Sequence, residues 1–423
     1  MSNLPKGWVK CVLGDVLYLQ NGYAFNSKDY ADIGIDIIRI SDIQDNKVTT
    51  EKSVKYNKKN IDKCFYVIKG DLLLAMSGAT TGKTGVYLSD EISYLNQRVG
   101  NLKIYSEEVL LPKYRNYFIT NKRKEIERKA YGGAQPNISK QLIESLVLFL
   151  PPFNEQKRIV AKIEDEFEKI DKGIEKLKLA KEQIKQYKQS VLKKYLNLKS
   201  GQVVTLNDVT TKINDGTHKT PLYLDDGIPF ISVKDIKNKQ ICFDDCKYIS
   251  SQEHSILYKR CNPEIGDVLI TKSGTIGRTA IINTSKIFDL FVSVALIKPN
   301  KDMITSKFLM YSLDNYIANI DINSQIKGGV IKNLHIEDIK KIEIKLLSIS
   351  EQQKIVEEIE KRFAVADNVI EIVEENLKKA EQLKQSILKK AFEGKLVPQD
   401  PNDDPASILL EKIKSEREKN ERI

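Results

Sequence analysis

Much of this sequence is written twice. Leu148-Phe149-Leu150-Pro151-Pro152-Phe153-Asn154-Glu155-Gln156-Lys157-Arg158-Ile159-Val160 returns as Ile344-Lys345-Leu346-Leu347-Ser348-Ile349-Ser350-Glu351-Gln352-Gln353-Lys354-Ile355-Val356, at an offset of 196 residues. Lys188-Gln189-Ser190-Val191-Leu192-Lys193-Lys194 returns as Lys384-Gln385-Ser386-Ile387-Leu388-Lys389-Lys390 at the same offset. Upstream, Gly132-Gly133 answers to Gly328-Gly329, Asn137-Ile138 to Asn333-Leu334, and Gly70-Asp71-Leu72-Leu73 to Gly266-Asp267-Val268-Leu269. Gly34-Ile35 and Asp42-Ile43 meet Gly227-Ile228 and Asp235-Ile236 after a slip to 193. So constant a register means tandem copies of one unit. Solenoid repeats run to roughly 20–50 residues, so this period describes two domain-sized modules.

Each module has two parts. The first, residues 1–150 and 200–346, is mixed. Runs rich in Val, Ile, Tyr and Phe at 36–43, 72–76, 230–233 and 268–271 are bounded by Gly, Asn and Asp, and predict strands. Residues 111–130 and 306–319 predict helices between them. The second part, residues 151–199 and 347–394, predicts one long helix per copy, and residues 395–423 form a tail. Between Glu155 and Leu198 there is no Pro and a single Gly, Gly173. Ile163, Phe167, Ile170, Ile174, Leu177, Lys181, Ile184, Lys188, Val191 and Tyr195 step by four and three, a heptad seam with two Lys interruptions. Ile359, Phe363, Ala366, Ile370, Val373, Leu377, Ala380, Lys384, Ile387 and Ala391 keep the same phase. About 44 residues at 1.5 Å each span roughly 66 Å. Pro151-Pro152 breaks the preceding strand, and Asn154 and Ser350 stand as N-caps before Glu155 and Glu351.

A helix of this length cannot hide an apolar stripe alone. Ala366, Ala380 and Ala391 occupy phases where the first copy has Ile170, Ile184 and Tyr195, a large-against-small pattern suited to close pairing. The expected fold is therefore α+β. Two similar mixed domains are separated by two long helices that pair as an antiparallel coiled coil about a pseudo-two-fold axis.

Composition narrows the function. Of 423 residues, 68 are Lys or Arg against 58 Asp or Glu, a formal charge of +10, which suits a polyanionic partner such as nucleic acid. No apolar run approaches the roughly 18 residues of a membrane span. The Met1-Ser2-Asn3-Leu4-Pro5-Lys6 start has no signal-peptide core, and five scattered Cys suit a reducing compartment, so a cytoplasmic protein is expected.

The motifs of catalysis are incomplete. Ser77-Gly78-Ala79-Thr80-Thr81-Gly82-Lys83-Thr84 approaches a phosphate-binding loop, but Ser77 stands where the first Gly belongs. Its counterpart, Ser273-Gly274-Thr275-Ile276-Gly277-Arg278-Thr279, is one residue shorter with Arg for Lys. A Gly-rich turn after a buried strand is the preferred reading, and a stand-alone NTPase built on residues 77–84 is the competing one. Leu150-Pro151-Pro152-Phe153 has Leu where an amino-methyltransferase tetrapeptide needs a polar residue, and the second copy loses both Pro. Glu343-Ile344-Lys345 is a nuclease-type tripeptide without its acidic partner. Cys242, Cys246, His254 and Cys261 have zinc-binding atoms at no familiar spacing, and the chain has only three His. No catalytic residue, metal or cofactor is assigned to this chain.

The repeat Pro151-Pro152-x-x-Glu155-Gln156-Lys157-x-Ile159-Val160, its echo Glu351-Gln352-x-x-Ile355-Val356, the paired Lys-Gln-Ser-Val/Ile-Leu-Lys-Lys segments and the tail Ala391-Phe392-Glu393-Gly394-Lys395-Leu396-Val397-Pro398-Gln399-Asp400-Pro401 together resemble the specificity (S) subunit of type I restriction-modification enzymes over the whole chain. The resemblance implies two target-recognition domains, each reading half of a split double-stranded DNA site, with the helices setting the spacer. It also implies two modification (methyltransferase) subunits carrying S-adenosylmethionine chemistry, and restriction subunits using ATP and Mg for translocation and cleavage. A specificity-type DNA-binding subunit of another modification or phage-defence system is the near alternative, and a purely structural coiled coil a more distant one.

DNA reading needs phosphate contacts for register and side chains at base edges. The candidates are Lys52, Lys55, Lys58, Lys59 and Lys63, Lys83, and Gln135 with Asn137 in the first domain. In the second they are His218, Lys219, Lys234, Lys237, Lys272, Arg278 and Lys327. The expected pairing seam is Ile163, Phe167, Ile170, Ile174 and Leu177 with Ile359, Phe363, Ile370, Val373 and Leu377.

Overall fold

A computed structural model of the chain describes residues 4–44, 46–57, 61–130, 136–198, 200–319 and 333–420. They fall into two compact units, one of residues 1–175 with 377–423 and the other of residues 176–376. The principal helices are α1 (Pro112–Ala130), α2 (Phe153–Leu196), α3 (Ser251–Arg260), α4 (Ser306–Asn319), α5 (Ile349–Phe392) and α6 (Ala406–Asn420). Both α2 and α5 are 44 residues long. Among the described residues no helix is long and apolar enough to cross a membrane.

The long helices start earlier than the expected caps. Ser348, not Ser350, caps α5: its hydroxyl accepts from the Glu351 N–H at 3.4 Å, and the Glu351 carboxylate accepts from the Ser348 N–H at 3.0 Å. This reciprocal pair satisfies two otherwise orphan donors. At the matching point of α2 stands Pro152, and the Gln156 N–H donates to its carbonyl at 3.0 Å. Lys193-Lys194 and Lys389-Lys390 fill the last turns, where cations suit the helix dipole. Gly394, at φ +68°, ends α5 in the left-handed region, with the Lys395 N–H reaching back to the Lys390 carbonyl at 2.8 Å.

In the first unit the strands are β1 (Val9–Val12), β2 (Leu17–Asn21), β3 (Leu72–Ala75), β4 (Thr84–Val86), β5 (Val99–Ile104) and β6 (Val147–Leu150). The sheet order is β2-β5-β3-β4, extended by Asn46–Val48 and Ile43–Gln44, while β1 pairs antiparallel with β6. Side chains alternate across the sheet. Leu72 and Leu74 face a core shared with Tyr114 and Phe118 of α1, Ile159 and Ile163 of α2, and Ile387 and Phe392 of α5. Leu73 and Ala75 face the other way, onto Ile38, Ile43, Tyr87 and Leu95. The tail belongs to this unit: Leu410 and Ile413 of α6 enter the first core, and Arg158 grips Asp403 with two hydrogen bonds of 2.6 and 3.3 Å.

The second unit repeats the plan with β7 (Gln202–Thr205), β8 (Thr210–Asp215), β9 (Val268–Thr271), β10 (Thr279–Ile281), β11 (Val294–Pro299) and β12 (Glu343–Leu346). Its order β8-β11-β9-β10 matches β2-β5-β3-β4, and β7 pairs with β12 as β1 does with β6. Val268 and Ile270 face Phe308 of α4 and Ile359 and Phe363 of α5. Leu269 faces Ile231, Phe288 and Leu290.

The repeated Glu-Gln pair has a structural purpose. Gln156 is fully buried; its Oε1 accepts from the Leu111 N–H at 2.9 Å, and its Nε2 donates to the Val109 and Pro151 carbonyls at 2.8 and 3.2 Å. Gln352 does the same with the Thr305 N–H at 2.9 Å and the Met303 and Leu347 carbonyls at 2.7 and 3.0 Å. In each unit this amide ties the start of a long helix to the loop entering α1 or α4. Lys113–Glu164 and Lys307–Glu360, both 2.7 Å, brace the next turns.

The helices pair antiparallel within each unit. In the second, Lys181 meets Glu374 at 2.6 Å, Lys188 meets Asp367, and Tyr195 bonds Arg362 at 2.9 Å, so partners descend as α2 ascends. In the first, Lys384 meets Asp171 at 2.5 Å. The Lys384 ammonium sits 5.3 Å from the Phe167 ring centre, and that of Lys188 sits 5.0 Å from Phe363. Lys188 and Lys384 each lay the stem over an aromatic ring of the other helix and end on a carboxylate, while Lys181 ends on Glu374. The pairing also corrects one expectation. Large-against-small matching of Ala366 with Ile170 does not describe the seam, because Asp367 is set against Lys188. Ile163, Ile174, Ile359, Phe363 and Val373 are buried, and Phe167, Ile170, Leu177, Ile370 and Leu377 are half-buried.

Candidate nucleic-acid interface

Each mixed domain presents the same Gly-rich hairpin. Residues 76–83 turn from β3 into β4, with Gly78 and Gly82 at φ +85° and +88°; residues 272–278 turn from β9 into β10, with Gly274 and Gly277 at φ +71° and +84°. These left-handed backbone states favour glycine over residues that carry a β-carbon. Side chains lock the turns. Thr81 Oγ1 donates to the Gly78 carbonyl at 2.6 Å, and the Arg278 N–H donates to Thr271 Oγ1 at 2.9 Å. Ser77 bridges to Asn137, and Ser273 to Asn333, so a second segment is pinned beside each hairpin at the same place. A strand–turn–strand has no helix N-terminus to receive a phosphate, unlike the strand–loop–helix of a nucleotide site. The NTPase reading loses its structural basis here.

The expected contact residues separate into groups. Lys83 is half-buried within the first hairpin, and Asn137 is exposed on the bridged segment. In the second domain Arg278 is exposed and donates to the Ile236 carbonyl at 3.2 Å, which brings the hairpin beside exposed Lys234 and Lys237. Lys234 donates to the Asp245 carbonyl at 2.9 Å. Lys52 and Lys63 are exposed; Lys55 lies on Val54–Tyr56 and pairs with Asp36 at 3.4 Å, away from the hairpin sheet. Lys58, Lys59, Gln135 and Lys327 lie outside the described residues.

Lys272 requires correction. It is buried, with its ammonium 3.0 Å from Asp215, and has no free charge for a phosphate. His218 and Lys219 are exposed, and the His218 ring nitrogen lies 3.2 Å from the same carboxylate. Arg260, which sequence reasoning passed over, also reaches Asp215, at 2.8 Å. Two of the four zinc-type residues are otherwise engaged. His254 meets Asp289 at 2.6 Å, and Cys246 donates to the Phe243 carbonyl at 3.2 Å. Burial raises the Asp289 carboxyl above its usual range, against the pull of His254. Among the described residues no group of three or more His, Cys, Asp or Glu could hold a metal ion.

Comparison with known proteins returns one family throughout. The family model described as Type I restriction modification DNA specificity domain matches residues 5–188 and again 199–382. The chain is 27% identical to the EcoBI specificity subunit of Escherichia coli, covering 99% of this chain and 94% of that one. It is 23% identical to the EcoKI specificity subunit of E. coli strain K12, covering 98% and 97%. Among solved structures, a chain from work on complex assembly and conformational transition of the type I R-M system superposes with a TM-score of 0.69 at 20% identity, over 94% of this chain and 100% of that one.

Proposed function

The chain belongs to the type I restriction-modification DNA specificity family, and from that premise we propose that it is the DNA-reading subunit of such a complex, each mixed domain taking one half of a bipartite double-stranded site. The observation that supports this reading most directly is the pair of matched hairpins. One fold, repeated within one polypeptide, offers at the same place a side-chain-locked Gly-rich turn with a basic residue at its end, Lys83 or Arg278, and an equivalent bridged segment beside it. Two copies of one reader in a single chain suit two half-sites separated by bases that neither copy touches. The paired helices act as the ruler for that gap and as the docking surface for two methyltransferase subunits. Restriction subunits join through the same core. The methyl-transfer and ATP-driven chemistry belongs to those partners, and the complex works in the cytoplasm. A DNA-binding role also accounts for the formal charge of +10, since neutralised phosphates release counterions and make affinity fall with salt.

Co-expression with a cognate modification subunit, followed by methylome sequencing, tests the reading. The expected mark is adenine methylation within a bipartite motif of two short halves and an unread spacer. A continuous palindrome, or no mark from a well-assembled complex, would overturn it.

A further inference from the structure

At one strand end the second domain carries a buried ion pair where the first has Asn21 and Met76. Asp215 ends β8, and its carboxylate is buried between two cations, Lys272 at 3.0 Å and Arg260 at 2.8 Å, with the His218 ring nitrogen at 3.2 Å. Burial pushes the Asp215 carboxyl up, but Lys272 and then Arg260 outweigh it and hold it below the usual carboxylate range. Strand register identifies the counterparts in the first domain. Asn21 opposes Gly100 as Asp215 opposes Ala295. The Met76 N–H donates to the Arg98 carbonyl at 2.9 Å, as the Lys272 N–H does to Ser293 at 2.9 Å. The fold therefore makes this junction equally well from Asn21 and Met76, and needs no ion pair there. Desolvating two charges is seldom repaid by their attraction alone, so stability gives no reason for the pair.

What the buried carboxylate does is aim an exposed guanidinium. Arg260 is the last residue of α3, with its side chain 49% exposed. Its carbonyl is fixed by the Asn214 side chain at 2.9 Å, and one Nη is fixed by Asp215. The remaining donors of the fork are left for another molecule. Lys272 neutralises Asp215 from the inside, so the outward charge of the cluster stays positive. It lies at the foot of the second hairpin, since Lys272 leads into that turn. We propose that Arg260, oriented by Asp215, reads a guanine in the half-site taken by the second domain. Arginine pairs bidentately with guanine O6 and N7. A fork already held in place loses less conformational freedom on binding. Arg260 is the specificity residue and Asp215 a positioning residue. The counterpart of Arg260 at offset 196 is Cys64, so the first domain reads its half by other means.

This inference rests on the DNA-reading function proposed above, and one experiment separates the two. Methylomes are recorded for hosts carrying the cognate modification subunit with the wild-type chain, Arg260→Ala, Arg260→Lys, or the double variant Asp215→Asn/Lys272→Met, which installs a first-domain-like neutral junction. The wild type is expected to require a guanine in one half-site. In all three variants that position should admit other bases, with discrimination falling at least about tenfold, while the other half and the spacer stay unchanged. Co-purification with the modification subunit should remain at wild-type level, a readout that a purely structural role of Asp215 would alter. If the wild type marks no bipartite site, the underlying reading fails whatever Arg260 does. If it marks one and Arg260→Lys leaves every position as stringent as before, the assignment of Arg260 is overturned.

Discussion

A glutamine amide with three buried hydrogen bonds carries more weight than its size suggests. Removing Gln156 or Gln352 leaves a backbone N–H and two carbonyls without partners, and an unsatisfied buried group costs about 1–3 kcal/mol. Gln156→Leu and Gln352→Leu should each destabilise their own unit by about 2–4 kcal/mol. Hydrogen exchange should show the first turns of α2 or α5 opening while the other unit keeps its protection; equal loss in both units would refute a local clamp. The thiols give a second check. Burial pushes Cys11 and Cys261 up to about 12; the Cys64 thiol is also raised, by desolvation and then by Asp62, but its side chain is exposed to reagent. The thiolate is the reactive form. Alkylation at mildly alkaline pH followed by peptide mass spectrometry should label Cys64 in the native chain, and Cys11 and Cys261 only in denaturant. At this scale the sequence disclosed which residues recur but not what they touch. The Glu-Gln pair stood out as a repeat, yet two of the Gln156 partners lie 45 and 47 residues upstream. Lys272, in a Thr-Lys-Ser-Gly run, has the look of a loop cation, and only the fold brings Asp215 under it.

Elements were far more legible, because their signals are local. The segments expected as helices at 111–130 and 306–319 are α1 and α4; the strand runs at 72–76 and 268–271 contain a strand, and those at 36–43 and 230–233 overlap Ile35–Ile38 and Ile228–Ile231. The long helices miss only at their caps. The seam was visible as a heptad, but its lysines read as defects, because sequence spacing cannot show that the residue facing Lys188 is Phe363, or that the one facing Lys384 is Phe167. The energetics follow from that pairing. Phe363 is buried and stacks edge-on against Tyr311 at 5.7 Å, while Phe167 is half-buried against Tyr117 at 5.8 Å. Phe363→Ala should cost about 3–5 kcal/mol and Phe167→Ala distinctly less. Lys188→Met, which keeps the stem over the ring and gives up an exposed ion pair, should cost under about 1 kcal/mol. Denaturant melts followed separately in the two units would check the order. A loss for Lys188→Met as large as that for Phe363→Ala would mean that charge, not packing, holds the seam.

For the whole molecule, the duplication was the most legible property, since a repeated sequence must repeat a fold, and the central four-strand orders β2-β5-β3-β4 and β8-β11-β9-β10 agree. The bases read were not legible, because the two copies differ at individual side chains, as Asp215 and Asn21 do, and a repeat fixes only what the copies share. The proposed ruler can be tested without knowing them. Adding one heptad to both helices at facing points, between Lys178 and Leu179 in α2 and between Asn376 and Leu377 in α5, keeps Lys188 on Asp367 and Lys384 on Asp171. Seven residues add about 10.5 Å of helix, close to three base pairs at about 3.4 Å each. The methylated spacer should therefore lengthen by about three base pairs with both half-sites unchanged. The same insertion in α2 alone slides one set of seam contacts out of register. It should abolish bipartite marking while leaving each mixed domain folded. A doubly extended chain that folds, assembles and still marks the original spacer would show that something other than helix length sets the gap.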